Sequence, residues 1–112
     1  MNPRRSLVAV SILLLLSSGV VQAHEHDKLG NVTFPISCKA EVQPAFNRAV
    51  AILHNFWYPQ SLNAFIEVAK ADPDCAMAYW GIAMAVRTNP LLGDQPTPAM
   101  KRGWDEISKA KA

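Results

Sequence analysis

DPDCAMAYWGIAMAV, residues 72–86, opens with two acids around a proline and then runs from Cys75 to Val86 without a charge. Three readings compete: a membrane segment, a buried core helix, or one unit of a repeated structure. The uncharged run is about twelve residues, short of the ~20 that a bilayer-spanning helix needs. It shows no strand-like alternation. Asp72, Pro73 and Asp74 supply the acidic cap candidates and first-turn proline that begin a helix. Ala76, Ala78, Gly81, Ala83 and Ala85 are small enough for neighbouring helices to approach closely. The expectation is a helix buried between two others.

Helical spacing continues on both sides. Val42, Ala45/Phe46, Ala49/Val50, Leu53 and Phe56/Trp57 recur every three or four residues, one wide apolar stripe with Pro44 suited to its first turn. Tyr58-Pro59 ends that helix and starts the next, on which Leu62, Phe65/Ile66 and Ala69 repeat the spacing. After Arg87 the stretch TNPLLGDQPTP, residues 88–98, reads as a Pro- and Gly-rich loop. Thr97-Pro98 then caps a fourth helix that puts Met100, Trp104, Ile107 and Ala110 on one face. The expected fold class is all-α: two antiparallel helical hairpins, about residues 42–71 and 74–111, behind an extended N-terminal leader over residues 24–41.

Residues 1–23 stand apart. Arg4 and Arg5 form a basic start, Leu7–Leu16 an apolar stretch, and Val21-Gln22-Ala23 offers the small residues a signal peptidase reads. The expectation is a signal peptide cleaved near Ala23, hence a periplasmic or secreted protein; the competing reading is an uncleaved anchor. The whole chain has 11 Lys+Arg against 9 Asp+Glu, and losing Arg4 and Arg5 balances them. A neutral mature chain gives no steering toward a polyanion, so no nucleic-acid partner is expected, nor a membrane span after cleavage.

Hairpin sequences must be tested for repeats. Tyr79-x-x-Ile82-Ala83-x-x-Val86 has the spacing of the first-helix element of the tetratricopeptide repeat. Ala45-x-x-Arg48-Ala49-x-x-Ile52 has it too, followed by Ser61-x3-Phe65 and Pro73. Ala49 and Ala83 are 34 residues apart, the repeat's period. In the second unit Gly103, Ile107 and Ala110 take the later positions, delayed eight residues by the 88–96 loop. The expected repeat core is Ala49, Ile52, Phe65, Tyr79, Ile82, Ala83 and Val86. Arg48 and Ala45 replace the Leu and Trp of the pattern, so an unrelated helical bundle is the alternative.

KLGNVTFPISC, AILHNFWYPQSLNAFIEVAKADPDCAMAYWGIAMAVRTNPL and GWDEISKAKA together resemble the N-terminal portion of a family of exported bacterial tetratricopeptide-repeat proteins. The resemblance implies the repeat fold and export, and a chain shorter than its relatives; it implies no biochemical role. The aromatic FWYP and AYW segments read as core packing, with an aromatic ligand pocket as the alternative.

Cys38 precedes the first helix and Cys75 follows the second, so an antiparallel hairpin places both at one pole. A disulfide there would close 36 intervening residues and stabilise by about 4 kcal/mol. Two free buried thiols, or a metal pair with a histidine, are the alternatives. No CxxC or CxxCH is present, which removes support for zinc ribbons, thioredoxin-like chemistry and c-type haem.

Cleavage after Ala23 would make His26 the third residue behind a free amine. That amine, two backbone amides and the imidazole suit square-planar Cu(II) or Ni(II), and His24 adds a second imidazole. A flexible polar leader is the plainer reading. His54 is expected to be partly exposed. There is no nucleophile elbow, HExxH, phosphate loop or Gly-rich fingerprint. Asp72/Asp74 and Asp105/Glu106 read as helix caps or a solvated face, and no catalytic residue is assigned. The functional expectation is a non-catalytic scaffold for protein–protein interaction, through its groove or through a partly exposed Met100–Trp104–Ile107 surface open to self-association. The alternative is a small copper- or nickel-binding protein.

Overall fold

A computed structural model describes residues 29–111; the expected signal peptide and the histidines of the leader lie outside the described residues. Among the described residues there are four α-helices and no strand: α1 (Gln43–His54), α2 (Tyr58–Ala71), α3 (Ala76–Arg87) and α4 (Thr97–Ala110). Each helix packs chiefly on its neighbour in sequence, and α1 also meets α3. Proline falls in the first turn of α1, α2 and α4, where a missing N–H breaks no intrahelical bond.

The core lies where α1, α2 and α3 meet. Phe46, Ala49 and Val50 of α1, Phe65 and Val68 of α2, and Ala78, Ile82, Ala85 and Val86 of α3 are buried in it. Rings cross edge to face through this layer: Phe46 lies 5.5 Å from Phe65, and Phe65 lies 6.4 Å from Trp80. Such offset contacts add to the gain from burial itself. Gly81 makes room for the arrangement, because a β-carbon there would collide with the Phe65 ring.

Two helix pairs meet at small residues. The Ser61 hydroxyl donates to the Ala49 carbonyl at 3.1 Å, tying α2 to α1. Gly103 of α4 faces Ala83 of α3, whose Cα would stand 4.0 Å from a β-carbon added at Gly103. Ala49 and Ala83 are 34 residues apart, and each takes a small residue of the following helix.

Several side chains lie elsewhere than expected. Ala76 is exposed and contributes nothing to close packing. Phe56 and Trp57, read as core, are 62% and 51% exposed. Their stripe stops because α1 ends at His54 and the chain turns away in the left-handed region at Phe56 (φ 59°). On α4 the residues turned from solvent are Ala99, Gly103, Glu106, Ile107 and Ala110. Small residues let α4 lie close to α3, which turns Met100 and Trp104 outward, in keeping with the partly exposed surface expected there. Glu106 is therefore not on a solvated face: it is 9% exposed and paired with Lys109 at 3.0 Å.

Residues 29–39 are irregular but strapped to the helices. Gln43 of α1 accepts from the Ile36 N–H at 3.1 Å and donates to the Phe34 carbonyl at 2.9 Å. Asn47, one turn on, accepts from the Phe34 N–H at 3.2 Å. These side chains serve the strap as a neighbouring strand would, satisfying backbone groups that helix packing alone leaves bare. Val32 and Ile36 pack on the core, and Phe34 reaches Phe46 and Trp80 at 5.7 and 5.9 Å.

Candidate functional site

The C-terminal end of α1 is closed by paired backbone bonds: Phe56 N–H to the Leu53 carbonyl at 3.0 Å and Trp57 N–H to the Ile52 carbonyl at 3.3 Å. This termination places its pivotal residue in the left-handed region, where glycine is usual and a β-carbon is strained. Here the pivot is Phe56, a large side chain held mostly in solvent. At the end of α3, Thr88 has φ 60° and ψ −157°, a region nearly reserved for glycine. Its hydroxyl donates to the Gln95 side-chain oxygen at 3.0 Å, and Gln95 in turn donates to the Gly93 carbonyl at 3.2 Å, organising the α3–α4 loop.

Phe56 and Thr88 line one cleft. Leu53, Tyr58, Trp80 and Met84 supply its apolar walls, His54 and Arg87 its polar groups, in a volume of about 260 Å³. An adjoining groove of about 270 Å³ shares Trp80, Met84 and Arg87 and runs to Met100, Trp104 and Ile107 on α4. Thr88 also borders a third apolar recess, between α2 and α4, lined by Leu62, Val86 and Arg102. No aspartate or glutamate lines any of the three. The chemistry offered is apolar contact with aromatic faces, edged by guanidinium.

The sequence-derived site residues fall into distinct places. Cys38 and Cys75 are joined by a disulfide, with their Cα atoms 5.0 Å apart. Ala49, Ile52, Phe65, Ile82 and Val86 are buried, whereas Tyr79 and Ala83 are half-buried. The Tyr79 hydroxyl donates to the Pro73 carbonyl at 2.8 Å. Met100 and Trp104 are exposed, and Ile107 is half-buried beside them in the α3–α4 groove. His24 and His26 lie outside the described residues. His54 is exposed at the cleft.

Sequence reasoning reached the aromatic walls of the cleft, in FWYP and AYW, only as the alternative to core packing, because its two defining features are backbone conformations. One signal was available: a hydrophobic stripe running past a helix end into an aromatic pair before proline, where glycine or asparagine would ordinarily close the helix. The strap was missed too, although Gln43 and Asn47 stand one turn apart on α1 and present amides to one side.

The fold and cleft define a small all-helical protein with an aromatic-walled apolar face. No family model, curated protein or solved structure matches the chain. Among the described residues no helix is long and apolar enough to cross a membrane.

Proposed function

We propose that the protein is an exported, non-catalytic helical scaffold of tetratricopeptide-repeat type, whose α1–α3 cleft docks apolar side chains of a partner protein. The observation that carries the reading is the convergence of two strained residues, Phe56 and Thr88, on one apolar cleft. Backbone strain of this kind costs on the order of 1–3 kcal/mol each and marks sites kept for function. A phenylalanine 62% exposed gives a folded monomer little in return, but it gives a docking face a rigid aromatic contact.

Support for the repeat arrangement comes from the paired contacts Ser61–Ala49 and Gly103–Ala83. Both join a first helix to the helix that follows it, at positions related by the 34-residue period once the 88–96 loop is discounted. In such repeats the first helices line a shared inner surface, which Leu53 on α1 with Trp80 and Met84 on α3, lining one cleft, would form in this reading.

The test is site-specific photocrosslinking in the exporting cell, with the reactive side chain at Met84 in the cleft or at Gln60 on the exposed side of α2. A partner joined from Met84 but not from Gln60, and lost when Phe56 is replaced by serine, supports the reading. Equal capture from both positions, or capture indifferent to Phe56, rejects it.

A further inference from the structure

Three side chains with metal-binding atoms meet where the strap, α2 and α3 converge. One ligand atom from each of Cys38, Asp72 and Cys75 lies within 4.8 Å of the others. The sulfur–sulfur bond is not all that holds them. Asp72 ends α2 with its N–H on the Val68 carbonyl at 2.9 Å, and its own carbonyl accepts from the Cys75 N–H at 3.1 Å. Cys75 opens α3 by accepting from the Ala78 N–H at 3.0 Å. Cys38 is placed by its neighbour, since the Lys39 N–H donates to Asp72 Oδ2 at 2.8 Å. Opening the bond therefore leaves two thiols beside a carboxylate that is 3% exposed.

Oδ2 of that carboxylate accepts from the Lys39 N–H, and Oδ1 stands 3.8 Å from Lys39 Nζ, on a side chain 61% exposed. Holding the strap needs one acceptor oxygen, which an asparagine would supply without burying a charge.

We infer that the reduced protein binds a divalent cation of the zinc class between the thiolates of Cys38 and Cys75 and the carboxylate of Asp72, and that disulfide formation closes this site. Tetrahedral zinc takes sulfur at about 2.3 Å and carboxylate oxygen at about 2.0–2.2 Å, which sets two thiolate sulfurs roughly 3.8 Å apart. All three donor atoms lie within 4.8 Å of one another, and once the bond is opened the two sulfurs must part from bonding distance to that spacing. Thiolate donors favour zinc over magnesium or calcium, which take oxygen. A phosphine or dithiol reductant supplies two electrons, and two protons from solvent complete the two thiols. The cation then binds both sulfurs as thiolates, releasing those two protons to the buffer, and water fills the fourth position. An oxidant that accepts two electrons re-forms the disulfide and expels the cation.

The experiment uses the full chain, reduced by a phosphine under argon and titrated with Co²⁺ as a spectroscopic substitute for Zn²⁺. Thiolate-to-cobalt absorption should grow to one equivalent, vanish on adding Zn²⁺, and be absent from unreduced protein. Histidines of the leader produce no such band. Asp72→Asn retains both thiols and an acceptor for Lys39, and should weaken Co²⁺ binding at least about tenfold. Circular dichroism on the same samples should show the metal-loaded chain helical, whether or not the reduced apo chain is. Absence of the band in reduced wild type, or equal affinity in wild type and Asp72→Asn, overturns the inference.

Discussion

The ring of Phe65 occupies the space that a β-carbon on Gly81 would need, so α2 and α3 approach at a point where one residue must have no side chain. Phe65 is fully buried, between Phe46 and Trp80, and has no free volume into which to retreat. Gly103, the other helical glycine among the described residues, differs: a β-carbon there would meet Val86 at 3.6 Å, an ordinary contact. The same substitution should therefore have opposite signs at the two sites. Gly81→Ala should destabilise by about 1–3 kcal/mol through overpacking. Gly103→Ala should stabilise by up to about 1 kcal/mol through helix propensity. Urea unfolding of both variants checks this, and a stabilised Gly81→Ala would refute the packing.

Phe56→Gly separates stability from function. Removing the β-carbon at φ 59° relieves about 1 kcal/mol of left-handed strain. Little packing is lost, since the ring is mostly solvent-exposed and touches Tyr58 at its edge, 6.3 Å between centroids. The variant should melt higher than wild type while losing the Met84 crosslink. A lower melting temperature would mean that the ring contributes more to the folded monomer than its exposure allows.

How much of this was legible depended on which residues carry a period. The four helices follow from apolar positions spaced three and four apart, and Ala49, Phe65 and Ile82 are buried where that spacing put them. Periodicity fails at helix ends, because it records which side a residue faces and not where the helix stops; Phe56 and Trp57 were carried into the core for that reason. On α4 the expected partly exposed surface at Met100 and Trp104 is present, because Gly103 and Ala99 bring the helix close on its other side. The strap has no period at all. Its place is set by side-chain amides of Gln43 and Asn47, which bind backbone and so leave no pattern in the strap's own sequence.

Loss of the disulfide should be costly. Cys38 and Cys75 join the strap to the start of α3 across a sequence separation of 37. Cross-linking a loop of that length removes denatured-state entropy equivalent to about 4 kcal/mol, less any native strain. Cys38→Ser with Cys75→Ser should therefore unfold at markedly lower urea than the oxidised wild type. Alkylation and mass measurement of the unreduced, denatured wild type should find no free thiol. Two alkylated cysteines would show the bond to be absent.

Trp104 provides the last test, because its surroundings are apolar on one side and cationic on the other. The indole is 68% exposed and Met100 beside it 54%, while the groove behind them continues to Trp80 and Met84. Lys111 Nζ stands 5.6 Å from the indole ring, a contact worth about 0.5–1 kcal/mol at an exposed site, which leaves most of the ring in water. Adjoining apolar side chains of this size mark an association surface on a folded protein. Sedimentation should show a reversible oligomer that dissociates on dilution. Trp104→Lys should weaken it at least tenfold and leave helical content unchanged, since the ring contributes little to the contact between α4 and α3. Met77→Lys, on α3 against the core, should instead reduce helicity. A wild-type chain that stays monomeric at high concentration would leave α4 without an associating face.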